Sequence, residues 1–583
     1  MRSLKGPPDG AMGYFLYWVK WKIATESLGH SSPVIWGDKL FLTAAVRESG
    51  EDLAAATMSA EALGAGGERS MNPMSLPLAL RAGFLLLSTV LLVLLWEGES
   101  TAGIPVDASD PDEVFVVQTG KPVGKLSFQI IDAANHVSLP ARLYFAYADG
   151  REEEPVVGRF KNFIVTASGR EVKTIPTGEY DVYITRGTEY SLDHHKISIV
   201  EGKTTHIDSR LARVVDTSGF ISADFHLHLQ FEMRDGAMVS AAEGIELLTA
   251  TDHNILKDYA PFIESLGLER FMKSVVGAEL DTAFGHFNSF PLRADRWSSR
   301  TFRHAIRTPA EFFRIVRQDP GEQIIQVNHP RRWEPNPTSG YFDQRLNPET
   351  GEAGYPYFDG GFDSFEIYNS VGDKRDGHMG RTALVEQKLK DWYGFLNRGI
   401  LAAGVANSDA HRYPEQLPGY PRNYVVSDTD KPWEIDPEEV VTAIKKRNVT
   451  GSGGPFIRFT GNGAPIGSVI SDLDGIVSLA IEVQAPHWIP VERVEVICNG
   501  ELLQTFPVSA PEEDKPWHFA AEMIVKPERD SWYLVLATSD KRWSIPFTQF
   551  SSFSFTNPIF VDVDGNGYFD APNGGYSLTP TDD

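Results

Sequence analysis

Residues that can bind metal ions recur between positions 224 and 411, in short groups that each contain a histidine, an aspartate or a glutamate. His226 and His228 are two positions apart in an apolar segment typical of a strand, so both imidazoles should point to the same side. Asp409 and His411 repeat this spacing after the apolar run 400–406. Imidazoles and carboxylates together suit zinc, manganese or iron. The chemistry that these residues indicate is hydrolysis by a metal-activated water.

Strands must hold these groups, because four apolar segments each end in one of them. Besides the two pairs above, His253 follows the run 244–251 and His329 follows the run 323–327. Helix-like segments at 309–317 and 382–392 separate the runs, which matches a barrel of parallel strands with its site at the C-terminal rim. A single histidine at a strand end also suits a structural hydrogen bond. Glu279 could equally form a rim salt bridge, and His286 could be a core histidine.

The motifs Thr251-Asp-His-Asn254 and Gly285-His-Phe-Asn288, with the opening His-x-His and the closing Asp-x-His, resemble a known family. They are similar to the polymerase and histidinol phosphatase (PHP) family of metal-dependent phosphoesterases, and most similar to its carbaryl-hydrolase-like branch. The resemblance covers roughly 215–455 and implies a distorted (βα)7 barrel with two to three Zn, Mn or Fe ions. The ligands that it implies are His226, His228, His253, Glu279, His286, His329, Asp409 and His411. Asp235 is a further candidate, although it lies farther from His228 than the family's aspartate does.

Catalytic roles are expected for residues beside or among the ligands. Asp409 and His329 are the candidates that would act on the bound water, with Asp409 as a proton acceptor. Arg331, Arg332 and Arg412 follow ligands closely, so a guanidinium could bind a phosphate or carboxylate through two hydrogen bonds. A salt bridge at the protein surface is the alternative for each arginine.

Composition limits the partners. The chain has 583 residues, 42% of them hydrophobic and 23% charged, which is typical of a globular protein of three or four domains. Its net charge of −25 argues against nucleic acid, which is bound mainly by lysine and arginine. A small-molecule ester is the expected partner. The only cysteine, Cys498, excludes an internal disulfide.

An export signal is expected near the N-terminus. Residues 82–96 are uncharged and mostly apolar, and small residues follow, with a cleavage site predicted after Ala102. An uncleaved membrane anchor is the alternative for residues 71–102. We expect a periplasmic, extracellular or membrane-anchored protein. Because a signal should begin a chain, residues 1–70 are interpreted as a non-native extension that includes a fragment like one propeller blade.

Two β-sandwiches are predicted on either side of the metal-binding segment 213–455. Residues 103–212 alternate polar and apolar and resemble a carboxypeptidase regulatory-like module, and residues 456–583 are again rich in strands. Near the C-terminus, the spacing of an acidic loop is similar to that of an EF-hand and could bind calcium through Asp562, Asp564, Asn566 and Asp570. An acidic turn stabilised by its own backbone hydrogen bonds is the alternative.

The expected fold is therefore multidomain, α/β plus β, with a distorted (βα)7 barrel between two β-sandwiches. The expected function is metal-dependent hydrolysis of an ester, with a phosphoester as the first prediction. A carbamate or carboxyl ester cleaved by the same site is the second. A third hypothesis, of another class, is an exported binding protein with a structural metal cluster.

Overall fold

The computed structural model describes residues 115–116, 119–229, 233–293 and 308–574, apart from gaps at 319, 337, 344–345, 348–349, 376, 413–415, 472–474 and 545. Of residues 33–36, 39–47, 53–59 and 577–578 it describes the backbone. The chain forms two compact units, residues 1–103 and 104–583. In the described residues, no helix is long and apolar enough to cross a membrane. The predicted signal or anchor at 82–96 lies outside them.

The first unit contains a small antiparallel sheet with the strands β1 (Pro33–Trp36), β2 (Lys39–Arg47) and β3 (Leu53–Ser59). Trp36 pairs with Lys39, so β1 and β2 form a hairpin with a two-residue connection. The similarity to a propeller blade stays a prediction.

The second unit begins with two small sheets whose strands alternate buried and exposed residues. The strands are β4 (Val123–Asp132), β5 (Ala141–Tyr147), β6 (Phe163–Thr166), β7 (Arg170–Pro176), β8 (Gly178–Thr185), β9 (Asp193–Ile199) and β10 (Thr204–Leu211). One sheet has the order β10-β4-β7 and the other the order β6-β5-β8-β9. Side chains of both sheets, such as Phe128 and Val182, bury each other in one shared core.

The central segment contains ten strands and the longer helices. The strands are β11 (Phe220–Leu227), β12 (Leu247–Ala250), β13 (Lys273–Val276), β14 (Ala278–Asp281), β15 (His286–Phe290), β16 (Ile324–Val327), β17 (Ser364–Asn369), β18 (Ala403–Asn407), β19 (Arg422–Val426) and β20 (Val449–Gly453). The helices are α1 (Met233–Ala242), α2 (Ala260–Ser265), α3 (Pro309–Val316), α4 (Ser370–Asp373), α5 (Ala383–Asn397) and α6 (Pro437–Lys445). The strands β14 to β18 form a five-stranded sheet, while β11 to β13, β19 and β20 belong to a larger one.

The predicted (βα)7 barrel is wrong. A barrel of that type needs parallel neighbours throughout, whereas here β11/β19, β14/β15, β15/β16 and β19/β20 pair antiparallel. The described strands also divide between two sheets, which are connected at Leu227–Ala410 and His253–Glu279 by isolated bridges rather than by continuous strand pairing. The periodicity of apolar runs shows where strands lie, but it does not show their direction or their neighbours.

Buried side-chain amides join the two sheets in addition to backbone hydrogen bonds, such as that from the N–H of His228 to the carbonyl of Ala410 at 3.0 Å. Phe225 on β11 donates its N–H to Asn407 Oδ1 at 3.0 Å, and its carbonyl accepts from Asn288 Nδ2 at 2.7 Å. Asn407 ends β18 and Asn288 lies on β15. These buried amides satisfy the backbone of β11 and hold the C-terminal ends of several strands together.

Most of the C-terminal strands lie in two sheets, and one of these is shared with the central segment. They are β21 (Phe456–Gly461), β22 (Ala464–Pro465), β23 (Val469–Ser471), β24 (Val477–Ala485), β25 (Arg493–Cys498), β26 (Glu501–Pro507), β27 (Trp517–Val525), β28 (Ser531–Arg542), β29 (Ser551–Thr556), β30 (Ile559–Asp562), β31 (Phe569–Asp570) and β32 (Ser577–Leu578). One of their sheets continues into the central segment through β20/β29 pairing, which produces an eleven-stranded sheet. The other has the order β22-β21-β24-β27.

Helix α5 supports the strand that leads to Asp409. Its N-cap is Thr382, whose hydroxyl accepts from the backbone N–H of Val385. Trp392 is fully buried under β18. Gly404 is required there, because a Cβ at that position would lie 2.8 Å from the Trp392 ring. The helix therefore packs directly on the strand that carries Asn407.

Candidate metal centre

Four ligand atoms from separate parts of the sheets converge in the interior. They are Nε2 of His226 and His228, Oε2 of Glu279 and Oδ1 of Asp409, and the separations of each imidazole nitrogen from each carboxylate oxygen are 3.2–3.3 Å. His226 and His228 lie at the end of β11, Glu279 lies on β14, and Asp409 follows β18. All four side chains are buried.

None of these four atoms makes a hydrogen bond with another described residue. Buried polar atoms are normally satisfied, so four that face one another need an explanation. Ligands at about 2.1 Å from a shared ion, with angles between octahedral and tetrahedral, lie about 3.0–3.4 Å apart. The separations observed are those of a metal coordination shell, and the residues present therefore fit a divalent cation.

Glu279 is the centre of the cluster, because its two oxygens lie within 3.3 Å of five imidazoles. Its Oε2 faces His226, His228 and His253, and its Oε1 faces His286 and His329. Asn328 Nδ2 donates to Oε1 at 2.9 Å and fixes the carboxylate from behind. A carboxylate in this arrangement can bridge two metal ions.

A second group of ligands lies at the open side of the cluster. Asp281 Oδ1 is 2.8 Å from His253 Nδ1 and 3.6 Å from His286 Nε2. The ring of His411 stacks on His228 with centroids 3.8 Å apart. The side chains of His253, His411 and Asp281 are 31–33% exposed, whereas those of His226 and Glu279 are fully buried. One side of the cluster is therefore accessible to solvent.

The backbone at two of the ligands adopts a conformation that is unusual for a residue other than glycine. The φ angles are +25° at His329 and +54° at Asp409. Such a conformation costs free energy, and it persists only where the surroundings impose it. It directs the side chain of His329 toward Glu279 and the side chain of Asp409 toward Asn369.

Glu366 on β17 orients the first ligand from outside the cluster. Its Oε1 accepts from His226 Nδ1 at 2.7 Å and from Asn407 Nδ2 at 3.0 Å. Its Oε2 accepts from the backbone N–H of His329 and from Asn369 Nδ2. Because Nδ1 of His226 carries the donated proton, its Nε2 presents a lone pair to the cluster.

The charges of the cluster require compensation by cations. Burial lowers the pKa of His226, but Asp409, Glu279 and Glu366 outweigh it and raise that pKa well above its ordinary value. Burial raises the pKa of Glu279, and the surrounding imidazoles hold it well below its usual range. Among the described residues, no lysine or arginine forms an ion pair with Glu279, Glu366 or Asp409. Protonated imidazoles or divalent ions must therefore supply the positive charge.

The structure thus brings together eight of the predicted ligands, which are His226, His228, His253, Glu279, His286, His329, Asp409 and His411. It does not bring Asp235 to them. Asp235 lies in the first turn of α1 and forms an ion pair with Arg159 at 2.8 Å. No group of candidate ligands in the described part of the chain includes it.

The three arginines proposed as substrate clamps lie in different surroundings. Arg331 is buried and pairs through two hydrogen bonds with Asp391 of α5, so its guanidinium is already used within the fold. Arg412 is exposed, and its backbone N–H donates to Gln416. Arg332 lines a cavity next to α5. We therefore assign Arg331 to the stability of the fold rather than to substrate binding.

Sequence reasoning missed Asp281 and Glu366. A signal existed for Asp281, since Glu279 and Asp281 show the same two-residue spacing on a strand as His226 and His228. A weaker one existed for Glu366, which is a charged residue within the buried strand Ser364–Asn369. Asn328 carried no signal other than its position next to His329.

The acidic loop at the C-terminus satisfies most of its own oxygens. Asp562 accepts from the backbone N–H groups of Gly565 and Gly567 and from Ser471 Oγ, all within 2.9 Å. Asp564 accepts from the backbone and side chain of Asn566. Asp530, which was not predicted, lies near Asp562 and Asp564 but accepts from two backbone N–H groups. This pattern favours the alternative of a self-stabilised acidic turn.

Asn566 and Asp570 also take part in this local network. Asn566 Oδ1 accepts from the N–H of Tyr568, and Asn566 Nδ2 lies 3.5 Å from Asp570 Oδ2. The predicted calcium ligands thus lie in one turn, where backbone donors and an amide surround them.

Comparisons with known proteins leave the chain without an assigned family. No known protein family matches it, and no curated protein matches it. A solved structure that is similar in part is the minor pilin GBS52 from the Gram-positive pathogen Streptococcus agalactiae, at 14% sequence identity and a TM-score of 0.14. The similarity covers 16% of this chain and 46% of the pilin chain. At that TM-score it carries no argument about fold or function, and the relationship to the PHP family stays a prediction based on motifs.

Proposed function

We propose that this protein is a metal-dependent ester hydrolase whose centre is the cluster around Glu279. The observation that carries the proposal is the convergence of four buried ligand atoms without hydrogen bonds, in which each imidazole nitrogen lies 3.2–3.3 Å from each carboxylate oxygen. Divalent ions bound there supply an acidified water and stabilise negative charge that develops on a substrate oxygen. Glu366 holds His226 in orientation, and Asn369 lies 3.4 Å from the second oxygen of Asp409.

The open side of the cluster favours catalysis over a structural role. Structural metal sites are closed by protein ligands, whereas catalytic sites keep a position for water or substrate. His253, His411 and Asp281 are each about a third exposed, so a small molecule can reach the ligands from that side. The substrate class that we propose first is a phosphoester, because of the motif resemblance to the PHP family.

The test uses the full chain purified without chelator. Elemental analysis should find two to three zinc, manganese or iron ions per chain. A chromogenic panel of a phosphomonoester, a phosphodiester, a carboxyl ester and a carbamate should identify the class that is hydrolysed. His226→Ala should lose both metal and turnover, and Arg314→Gln, an exposed change on α3, should lose neither. A folded, metal-free and inactive protein would refute the proposal.

We also propose that the chain is exported. The support is the uncharged segment 82–96 followed by small residues, as in a secretory signal. Expression in a bacterial host should yield a secreted product whose N-terminal residue is Gly103. A product that stays in the cytoplasm with its full N-terminus would contradict this.

A further inference from the structure

A cavity of about 250 Å³ lies between the loop that follows His329 and the start of α5. Arg331, Arg332 and Trp333 line it from the loop, and Leu384 and Gln387 line it from the helix. The residues that line the cavity include none of the metal ligands described above. It is therefore a site separate from the cluster, although the chain connects the two directly.

Two N–H donors on residues that line this cavity have no acceptor among the described residues. Arg332 Nε and Trp333 Nε1 are both buried from solvent, and neither donates to a described residue. Arg331, by contrast, is neutralised by Asp391. A buried donor without an acceptor is costly. The residues that line the cavity therefore carry donors that the fold itself does not satisfy.

The charge of the cavity favours an anionic ligand. Among the described residues, no carboxylate forms an ion pair with the guanidinium of Arg332. Asp343, which also lines the cavity, directs Oδ2 to the backbone N–H groups of Arg332 and Asn336. The guanidinium of Arg375 lies 4.9 Å from the centre of the Trp333 ring. Guanidinium and indole groups have only donors, and they suit carboxylate and phosphate oxygens.

We propose that this cavity binds an anionic group of the substrate, a carboxylate or phosphate, that is not the group being hydrolysed. The proposal rests on the proposed function, since it names the substrate of the same centre. Arg332 follows His329 by three residues, so their Cα atoms are at most about 11 Å apart. A substrate would thus have its reacting ester at the cluster and a second anionic group near Arg332. Esters with such a group should be preferred over neutral carbamates.

Matched substrates test this preference. Mono-4-nitrophenyl glutarate is compared with neutral 4-nitrophenyl butyrate, and 4-carboxymethylphenyl phosphate with phenyl phosphate. In Arg332→Gln, KM for the member of each pair with the extra carboxylate should rise about ten-fold or more, because a charge-assisted hydrogen bond is lost. The value of kcat and the KM of the other member should change less than about two-fold. Arg314→Gln, the same substitution at an exposed position of α3, should behave as wild type.

A binding measurement separates this proposal from the proposed function. Glutarate is titrated calorimetrically into the full chain in EDTA, so that metal ions do not bind the carboxylates, and circular dichroism of the same samples reports the fold. Arg332→Gln should abolish binding, and Trp333→Phe, which keeps the ring, should weaken it about five-fold.

Failure of the anion site and failure of the proposed function would give different results. Wild-type protein that does not bind glutarate, or Arg332→Gln that binds it as tightly as Arg314→Gln, would overturn the anion site even if esters are hydrolysed. Glutarate binding that depends on Arg332, in a protein that holds no metal and cleaves no ester, would overturn the proposed function and with it the assignment of the anion as part of a substrate.

Discussion

The cluster around Glu279 and the acidic loop at 562–570 both contain candidate ligand atoms within 4.8 Å of one another, from histidines and carboxylates in the cluster and from Asp562, Asp564 and the neighbouring Asp530 at the loop. In the cluster, His226 Nε2, Glu279 Oε2 and Asp409 Oδ1 are buried without hydrogen bonds. In the loop, Asp562 is equally buried, but both of its oxygens accept hydrogen bonds. The two regions differ in whether the protein itself satisfies their polar atoms.

The origin of this difference is the distance along the chain between the ligands. Within a short loop, each carboxylate can reach backbone N–H groups two to five residues away, as Asp562 and Asp564 do. The ligands of the cluster come from several strands, and the four atoms that face one another accept no hydrogen bond from a described backbone N–H. Their side chains therefore have mainly one another, and a shared cation, as partners. We infer that a metal centre is distinguished from an acidic turn by ligand atoms that face one another without hydrogen bonds, more than by the types of residue present.

The largest effect is expected from Glu279→Gln. The substitution keeps the volume and removes the charge that five imidazoles face. Bound metal should be lost and ester turnover should fall roughly a thousand-fold or more. Elemental analysis and initial rates measure both. Asp564→Asn in the acidic loop is the control and should change neither; a Glu279→Gln protein with full metal content would break the comparison.

The second-largest effect is expected from metal removal, which should lower the stability of the protein. If EDTA removes an ion present at about a thousand times its Kd, the free energy of unfolding falls by about 4 kcal/mol, and the thermal midpoint falls with it. Calcium added to the dialysed protein should leave the midpoint within about 1 °C, because the oxygens of Asp562 already have partners. Differential scanning calorimetry measures both. A midpoint restored by calcium but not by zinc or manganese would reverse the assignment of the two regions.

Glu366→Gln should have a smaller effect, confined to metal affinity. The carboxylate holds the His226 tautomer that presents Nε2, and loss of such a partner typically weakens metal binding about 10–100-fold. Competition with a chromogenic chelator measures the affinity, and the far-ultraviolet circular dichroism spectrum should stay unchanged. Glu352→Gln, an exposed change in an ion pair with Arg398, serves as the matched control. Equal affinities in the two variants would show that Glu366 does not orient His226.

The smallest effect is expected in the acidic loop. Asp562→Asn weakens hydrogen bonds from Gly565, Gly567 and Ser471 and should lower the free energy of unfolding by about 1–3 kcal/mol, with or without calcium. Asp564→Asn, at an exposed position, should cost less than about 0.5 kcal/mol. Urea titrations in calcium and in EGTA measure these values. A loss that appears only in calcium would make the loop a calcium site.

Much of the candidate site could be predicted from local patterns. Two ligands separated by one residue on a strand must share a side, so His226 and His228 were recognisable as a pair from the sequence. The same rule applied to Glu279 would have found Asp281. Glu366 could not be found in this way, because its partner His226 is 140 residues earlier in the chain. Its role depends on how β17 and β11, which belong to different sheets, pack together.

The arginines show why neighbours in sequence are a weaker guide than spacing. Arg331 and Arg332 both follow His329 closely, and the same clamp role was predicted for them. Arg331 instead reaches Asp391, 60 residues later on α5, while Arg332 lines the cavity without an ion pair to a described residue. Successive residues in an extended loop point in different directions, and only the packing of α5 determines which of them finds a partner.

By itself, the sequence determined which segments are strands and helices and which short groups carry ligands, because those properties depend on periodicity and on residue types a few positions apart. Only the tertiary structure decided that the strands divide into two sheets instead of one parallel barrel, and that the C-terminal strands extend one of them. Strand direction and pairing depend on long-range hydrogen bonds, such as those from Asn288 to Phe225 and from Phe225 to Asn407, which no local pattern encodes.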